Sequence, residues 1–187
     1  MTVELTRRLF TADEYHRLAE VGVLASCERV ELIDGEIVVM SPIGHRHSRC
    51  VAYLNTAFVR GLGDRAVVWP QLSLRLGTRL EPEPDLVLLR PPLDRYAERL
   101  PGAPDALLVV EVSDTSLAYD REVKLPRYAA AGVPEAWIVD LEGGVVEVHR
   151  EPSPDGYRWS RRRGRGEEVA PAAFPDVRLD VADIVGG

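Results

Sequence analysis

The segment Ala106–Val112 constrains the fold more than any other part of the 187-residue chain. Its residues are apolar except for Glu111, and such a run predicts a strand that is buried on both faces. Helical periodicity occurs on either side of it, over about residues 47–61 and 119–131. A buried strand between two amphipathic helices indicates a central sheet covered by helices, and therefore an α/β fold.

The remaining elements are predicted from periodicity and turn signals. Thr11 precedes a short helix that runs to about Glu20, and Asp34-Gly35 is typical of a two-residue hairpin turn. The predicted strands cover residues 29–33, 36–40, 66–69, 72–76, 85–89, 136–140, 145–150 and 157–163, and a proline-rich tail, 170–187, is expected to be coil with short regular pieces. We interpret the chain as one domain, 1–187, with a core of helix, three strands, helix and strand. Its central sheet is mixed, with an N-terminal helix-hairpin and a C-terminal β extension.

The composition restricts the class of protein. Hydrophobic residues make up 45% of the chain and charged residues 28%, which excludes a disordered chain, and no apolar run is long enough to cross a membrane. Thirty acidic residues against 23 basic ones give a net charge of -7. That charge argues against a general nucleic-acid coat protein, but not against a metal-dependent nuclease, whose carboxylates hold the metal. Residues 1–20 contain no apolar signal-peptide core, so we expect a cytoplasmic protein. Cys27 and Cys50 lack the spacing of metal ligands and are expected to be small core residues.

Nearly every basic residue is an arginine. Of the 23 basic residues, 22 are Arg and the single lysine is Lys124. An arginine-rich, amide-poor composition is typical of a thermophile, and a GC-rich genome gives the same bias. A lysine differs from an arginine in being a compact donor whose pKa can be lowered by burial. Lys124 is therefore a candidate for handling a water molecule, the alternative being a surface pair with Asp120 at i,i+4 spacing.

Two acidic residues stand beside apolar strands. Glu111 interrupts the apolar strand, and a buried carboxylate needs a paired arginine or a bound cation. Asp85 ends the stretch Glu81–Asp85, whose two prolines keep the chain extended and supply no ladder donors. This stretch is either a solvated strand end or the source of a metal ligand. At the ends of neighbouring strands, the two acids would suit Mg²⁺, with a backbone carbonyl near Val112 as a third ligand.

Four other polar residues are candidates around such a site. Glu31 is either an extra acid that faces the site or a satisfied hairpin residue. His47 either contacts phosphate or, more readily, caps the helix that it opens. The amide of Gln71 either reaches a substrate or lies at a solvated strand end, and Tyr128 is expected to pack rather than to take part in catalysis.

The run Arg161, Arg162 and Arg163 is the strongly basic stretch of the chain. Aromatic residues interleave with it at Tyr157 and Trp159, a pattern that allows base stacking and cation–π contacts with a nucleic acid. The alternative is a solvated hairpin that is balanced by acidic residues later in the chain.

The order of several motifs resembles the Uma-two family, which is placed in the PD-(D/E)XK nuclease superfamily. The matching residues lie within about 10–150 and are Glu31–Glu36, Met40–Pro42, His47, Glu81–Asp85, Val110–Ser113, Asp120–Lys124 and Gly132–Asp140. The resemblance implies a restriction-endonuclease-like core and hydrolysis of DNA with Mg²⁺ or Mn²⁺. It also implies that Asp85 is the first metal-binding acid and Glu111 the second.

One position departs from the superfamily pattern. The superfamily lysine stands two residues after the second acid, where this chain has Ser113, and the resemblance implies that Lys124 on the following helix replaces it. Lys124 would then position the attacking water or stabilise the charge that develops on phosphorus. Ser113 and the net charge favour an alternative, a nuclease-like fold that acts as a binding or assembly module. A third possibility, a hydrolase of small phosphodiesters, requires a narrow pocket. A homodimer is expected by analogy with enzymes that cut duplexes.

Overall fold

Six strands form one mixed sheet that carries both candidate metal-binding acids. A computed structural model describes residues 7–24 and 29–186 of the chain. The strands follow one another across the sheet in chain order: β3 (Val67–Pro70), β4 (Leu86–Leu89), β5 (Ala106–Ser113), β6 (Glu135–Asp140), β7 (Val145–Ser153) and β8 (Gly156–Gly164). Neighbouring strands are antiparallel except β5 and β6, which are parallel. A parallel pair needs a crossover connection, and a helical segment provides it here.

Helices cover both faces of the sheet, as the apolar strand β5 predicts. The helices α2 (His45–Leu62) and α5 (Val181–Val185) pack on one face, where Phe58 lies in the same apolar cluster as Trp137. On the other face, Tyr128 of the crossover packs into a second cluster with apolar side chains from β4 and β5. The predicted α/β fold with a mixed sheet is confirmed.

The crossover is helical throughout but changes its hydrogen-bonding register. It consists of α3 (Leu117–Tyr119), a π-helical segment (Asp120–Lys124) and α4 (Leu125–Ala130). Pro126 lies in the first turn of α4. Because proline has no N–H to donate to the preceding turn, the regular α-helix begins only at this point, and the turn before it is wider. The helix predicted over about 119–131 is thus confirmed in place, and its first half is the wider segment.

The N-terminal helix and hairpin form as predicted. The helix α1 (Ala12–Glu20) begins with a capping box. The strands β1 (Val30–Ile33) and β2 (Glu36–Val39) pair through a turn in which Asp34 and Gly35 both have positive φ, which Asp and Gly tolerate best. Leu32 exchanges two backbone hydrogen bonds with Glu81, of 3.2 and 2.8 Å, so the hairpin is fixed to the chain that leads into β4.

Two regions differ from the prediction or lie outside it. The strand predicted over 72–76 is wrong, because Gln71 has a positive φ that turns the chain after Pro70. After β8 the chain forms only short regular pieces, β9 (Glu168–Val169), β10 (Leu179–Asp180) and α5. Cys50 is buried in the core as expected, whereas Cys27 lies outside the described residues. Within the described ranges, no helix is both long and apolar enough to span a bilayer.

Candidate active site

The predicted acids and the lysine line one cavity of about 390 Å³ at the carboxyl end of β5. Five parts of the chain form its walls: the N-terminal hairpin with the loop after it, the start of α2, Asp85 before β4, the end of β5 with the loop after it, and the crossover. These parts are distant in sequence, and the sheet and its crossover bring them together.

Asp85 is held against the end of β5 by the backbone of Val112. The Val112 N–H donates to Asp85 Oδ2 at 2.8 Å. Since Leu86 pairs with Val110 in the antiparallel register, Pro84 stands opposite Val112. Pro84 has no N–H, so the backbone hydrogen bonds between β4 and β5 stop at this residue. In an antiparallel strand the N–H and the carbonyl of one residue point to the same side, so the Val112 carbonyl also faces Pro84 and accepts no hydrogen bond from it. The Asp85 carboxylate and the Val112 carbonyl therefore face the same edge of β5.

His47 contacts Asp85 instead of capping the helix. Its Nε2 lies 2.9 Å from Asp85 Oδ1. The N-cap of α2 is Gly44, so the predicted capping role of His47 is wrong. As the third residue of α2, His47 lies three residues after the cap position, and its ring contacts Asp85 just before β4. The Val112 N–H and the His47 ring therefore lie against different oxygens of the Asp85 carboxylate.

Lys124 is buried among acidic residues. Its side chain is 3% exposed, and its Nζ lies 2.7 Å from Glu111 Oε1 and 3.3 Å from Glu31 Oε2. Burial by itself would lower the pKa of Lys124, but the carboxylates of Glu111, Glu31 and Asp120 together raise it above its usual value. Lys124 is therefore a charged ammonium at neutral pH. The alternative of a solvated surface pair is wrong.

Glu111 is buried with a lysine and a tyrosine as its partners. Its Oε1 accepts hydrogen bonds from the Tyr128 hydroxyl and from Lys124. The alternative of an arginine partner is thus wrong, and Tyr128 does more than fill space, because its hydroxyl holds the carboxylate. Burial raises the pKa of Glu111 well above its usual value, although Lys124 opposes the effect.

Glu31 faces the site from the N-terminal hairpin. Its Oε1 accepts a hydrogen bond of 3.0 Å from the Tyr119 hydroxyl, and its Oε2 accepts one of 3.1 Å from the Glu83 N–H. Together with the contact to Lys124, these bonds tie the hairpin, the chain before β4 and the crossover into one cluster. Glu31 was expected to be either an extra acid that faces the site or a satisfied hairpin residue, and the structure places it in the lining of the cavity.

Asp120 is a further buried acid that the sequence did not single out as a site residue. It accepts hydrogen bonds from Ser113 Oγ at 2.8 Å and from Ser116 Oγ at 2.5 Å. Burial raises its pKa, although Lys124 and the two serines oppose the effect. Its i,i+4 spacing from Lys124 is the sequence signal from which it could have been found. Ser113 stands where the resemblance places the superfamily lysine, and its hydroxyl donates a hydrogen bond to Asp120 on the crossover.

The charges of this cluster do not balance. We call Glu31, Glu83, Asp85, Glu111, Asp120 and Lys124 the site cluster; it contains five carboxylates and one ammonium. A divalent cation would compensate such an excess. Across residues 7–24 and 29–186, no three His, Cys or carboxylate side chains are arranged to hold a metal ion. An ion here would be held by Asp85, Glu111 and the Val112 carbonyl, with water completing its shell, and this oxygen set fits Mg²⁺.

The remaining predicted residues lie outside the cavity. The Gln71 N–H donates to the Asp85 carbonyl at 3.1 Å, but its side chain does not line the site.

The three consecutive arginines lie on β8, where alternation along the strand places Arg162 on one face of the sheet and Arg161 and Arg163 on the other. β8 lies three strands, or about 14 Å, from β5. Arg162 pairs with Glu147 at 3.3 Å on the face that carries Glu111. Arg163 pairs with Glu167 at 2.7 Å and, with Arg161, lines a groove on the other face. The alternative of a hairpin balanced by later acidic residues therefore describes Arg163, whereas Arg162 pairs with an acid of β7.

Comparisons with known proteins agree with this fold. The model of the Uma2 family, described as "Putative restriction endonuclease", matches residues 12–182. A crystal structure described as a "putative nuclease belonging to DUF820" from Anabaena variabilis superposes with a TM-score of 0.74. The two chains are 17% identical, and the match covers 94% of this chain and 97% of the other. A search of curated proteins gave no match. The structural similarity shows the restriction-endonuclease-like fold, and the family match covers most of the sequence. The chain therefore belongs to the Uma2 family.

Proposed function

We propose that the protein hydrolyses phosphodiester bonds in DNA with the aid of Mg²⁺ or Mn²⁺. The observation that carries this proposal is that Asp85, Glu111 and Val112 line one cavity, inside a cluster with four more acids than bases. The family match supports a nuclease role, and families of this fold generally use divalent metals. The oxygen donors and the excess negative charge supply what such an ion requires.

The residues around the proposed ion have separate tasks. A divalent ion held by Asp85, Glu111 and the Val112 carbonyl would supply an activated water and polarise the scissile phosphate. The Lys124 ammonium is charged, so it orients the water and stabilises the negative charge on the phosphoryl oxygens rather than acting as a base. The water oxygen bonds to phosphorus, one P–O ester bond breaks, and the departing oxygen takes up a proton. The products are a phosphate monoester and an alcohol.

The position of Lys124 also bears on the alternative of an inactive binding module. That alternative drew support from Ser113, which stands where the superfamily has its lysine. The Lys124 Nζ nevertheless lies 2.7 Å from Glu111, because the crossover delivers it from the following helix. The amine is thus beside the second acid even though it comes from another element, which supports an active site.

Substitution of the two acids tests the proposal. Asp85→Asn and Glu111→Gln keep the side-chain shapes and remove the charges, so each should abolish Mg²⁺-dependent cleavage of DNA and the binding of Mn²⁺ in calorimetry. Glu147→Gln is the matched control, because Glu147 is also a buried acid on the same face of the sheet. It should leave both cleavage and metal binding unchanged. Cleavage by both acid variants at the rate of the parent protein would overturn the proposal, and a parent protein that binds no metal would favour the binding module.

A further inference from the structure

The cavity of the site has two chemically different sides. One side carries Asp85, Glu111 and Lys124. The other side is the loop 38–43, defined here to include the last two residues of β2; all six of its residues line the cavity, and Ser41 is the polar one among them. Val39 is 67% exposed and Ile43 is 37% exposed. The lining of the cavity therefore includes solvent-exposed apolar side chains as well as charged ones. A ligand that suits both sides has an anionic group at one end and a flat apolar face at the other.

The reacting groups are almost fully buried. Asp85 is 6% exposed, Glu111 4% and Lys124 2%. The cavity of about 390 Å³ is near the lower end of the range for small-molecule sites, about 300–1,000 Å³. A duplex is a stiff rod with a persistence length of about 50 nm, and it cannot follow its scissile phosphate into such a space. Enzymes that act on a nucleotide in a pocket accept a single strand or take that nucleotide out of the stack.

The charge of the lining also opposes a long contact with nucleic acid. Besides Glu31, Asp85, Glu111 and Asp120, the walls include Asp114, whereas Arg29 and Lys124 are the basic side chains apart from His47. Duplex-binding surfaces neutralise many phosphates with lysine and arginine. This lining can favour one or two phosphates near Lys124 and a bound cation, and it repels the rest of a backbone.

We infer that the site accepts one nucleotide of a single-stranded DNA segment, such as an overhang or a free strand, and does not act on an intact duplex. Its phosphate lies at Asp85, Glu111 and Lys124, and its base lies against the loop 38–43. The inference rests on the proposed function, since the phosphate is placed at the proposed metal site.

Cleavage of matched DNA substrates tests the inference. One labelled oligonucleotide is offered in Mg²⁺ as a single strand, as a blunt duplex and as a duplex with a single-stranded overhang. The single strand should be cut at least about tenfold faster than the blunt duplex, a difference of about 1.4 kcal/mol in activation free energy. Cuts in the third substrate should fall within the overhang. Equal rates on the single strand and the blunt duplex would overturn the inference.

The salt dependence gives a second readout. With one or two phosphates in contact, the logarithm of kcat/KM for the single strand should fall with the logarithm of salt concentration with a slope of about -0.7 to -1.4. A slope steeper than about -3 would mean four or more phosphate contacts, and would contradict a site for one nucleotide.

A pair of valine variants tests the apolar side of the cavity. Val39→Glu places a negative charge beside the base and should raise the KM for the single strand about tenfold, a loss of about 1.4 kcal/mol. The binding of Mn²⁺ should stay unchanged. Val21→Glu is the matched control, because Val21 is also 67% exposed but lies at the end of α1, outside the cavity. An unchanged KM in Val39→Glu would overturn the placement of the base.

The failure of the inference can be told apart from that of the proposed function. If no substrate is cut, the proposed function fails, and fluorescence anisotropy of the same labelled strands still tests the inference. Tighter binding of the single strand than of the duplex, weakened by Val39→Glu, would support it, and equal binding would overturn it. Cleavage of bis(p-nitrophenyl) phosphate without cleavage of any oligonucleotide would also overturn it, in favour of a hydrolase of small phosphodiesters.

Discussion

Glu111 and Glu147 stand in the same row of the sheet, on strands separated by β6, and their surroundings are opposite. The row runs from Glu111 through Ile138 to Glu147, so both carboxylates emerge on one face. Glu111 lies in the acid-rich site cluster, where burial raises its pKa well above the usual value despite Lys124. At Glu147, the pKa falls to about 2 because His149 and Arg121 oppose the effect of burial. The His149 Nε2 lies 3.7 Å away, whereas Arg121 makes hydrogen bonds of 2.7 and 3.0 Å, so we regard Arg121 as the principal partner.

The crossover supplies the cation in both places, and the type of cation differs. Arg121 fits both oxygens of Glu147 with its planar fork, and Arg162 adds a contact of 3.3 Å, so the carboxylate is saturated. Lys124 and Tyr128 both contact Oε1 of Glu111, which leaves Oε2 without a hydrogen bond to any residue in the described ranges. A balanced ion-pair network is typical of structural support, whereas an unbalanced buried cluster is typical of a functional site. The difference also explains why this position uses the one lysine of the chain.

Removal of the lysine should have the largest effect on stability. Lys124→Met leaves five carboxylates without their buried cation and should lower the free energy of unfolding by about 3–5 kcal/mol. Arg121→Met should cost less, about 1–3 kcal/mol, because Arg162 still pairs with Glu147. Urea denaturation of both variants without metal measures the difference. Equal losses would mean that the two surroundings do not differ in the way described.

Exchange of the two cation types should separate activity from stability. Lys124→Arg keeps the charge but replaces a point donor by a planar fork, and should lower kcat by about 100-fold, or about 2.7 kcal/mol. The reciprocal Arg121→Lys should leave kcat unchanged. Steady-state cleavage kinetics on single-stranded DNA provide the measurement. Full activity in Lys124→Arg would show that Lys124 supplies only charge.

Neutralisation of the two acids should change stability in opposite directions. Glu147→Gln loses charged hydrogen bonds to Arg121 and should destabilise the protein by about 1–3 kcal/mol. Glu111→Gln removes one charge from the acid-rich site cluster and should leave the metal-free protein as stable as the parent, or more stable. Thermal unfolding in the presence of a chelator tests both. A loss of stability in Glu111→Gln as large as that in Glu147→Gln would contradict the assigned excess of negative charge.

The smallest effect is expected in the free energy of unfolding at acidic pH. The pKa of Glu147 is about 2 in the folded protein against 4.5 for an ordinary glutamate. Its stabilising contribution is therefore complete above about pH 4.5 and is lost as the pH falls from there towards 2. Denaturation at several pH values in this range should show a flatter decline for Glu147→Gln than for the parent. Parallel curves would contradict the lowered pKa.

Local signals in the sequence predicted most elements of the fold and two of the site acids. The apolar run of β5 and the turn at Asp34 each act over a few residues, and both predictions are confirmed, whereas the role of Asp85 as a metal ligand stays a prediction. The strand predicted over 72–76 failed because one positive φ at Gln71 redirects the chain. The contact between Glu31 and Lys124 joins residues 93 positions apart, and no local pattern encodes it. His47 was assigned to a cap for the same reason, since its partner lies 38 residues away.

The π-helical segment fixes which side chain of the crossover meets which strand. Deletion of one residue between Arg121 and Lys124, with α4 held in place, would bring Asp120 to the position of Arg121 beside Glu147 and set two acids against each other. A single-codon deletion at this point would thus disrupt the site while leaving Asp120, Arg121 and Lys124 in the sequence. Differences among Uma2 proteins should accordingly be sought in the length of this segment as well as in its acidic residues.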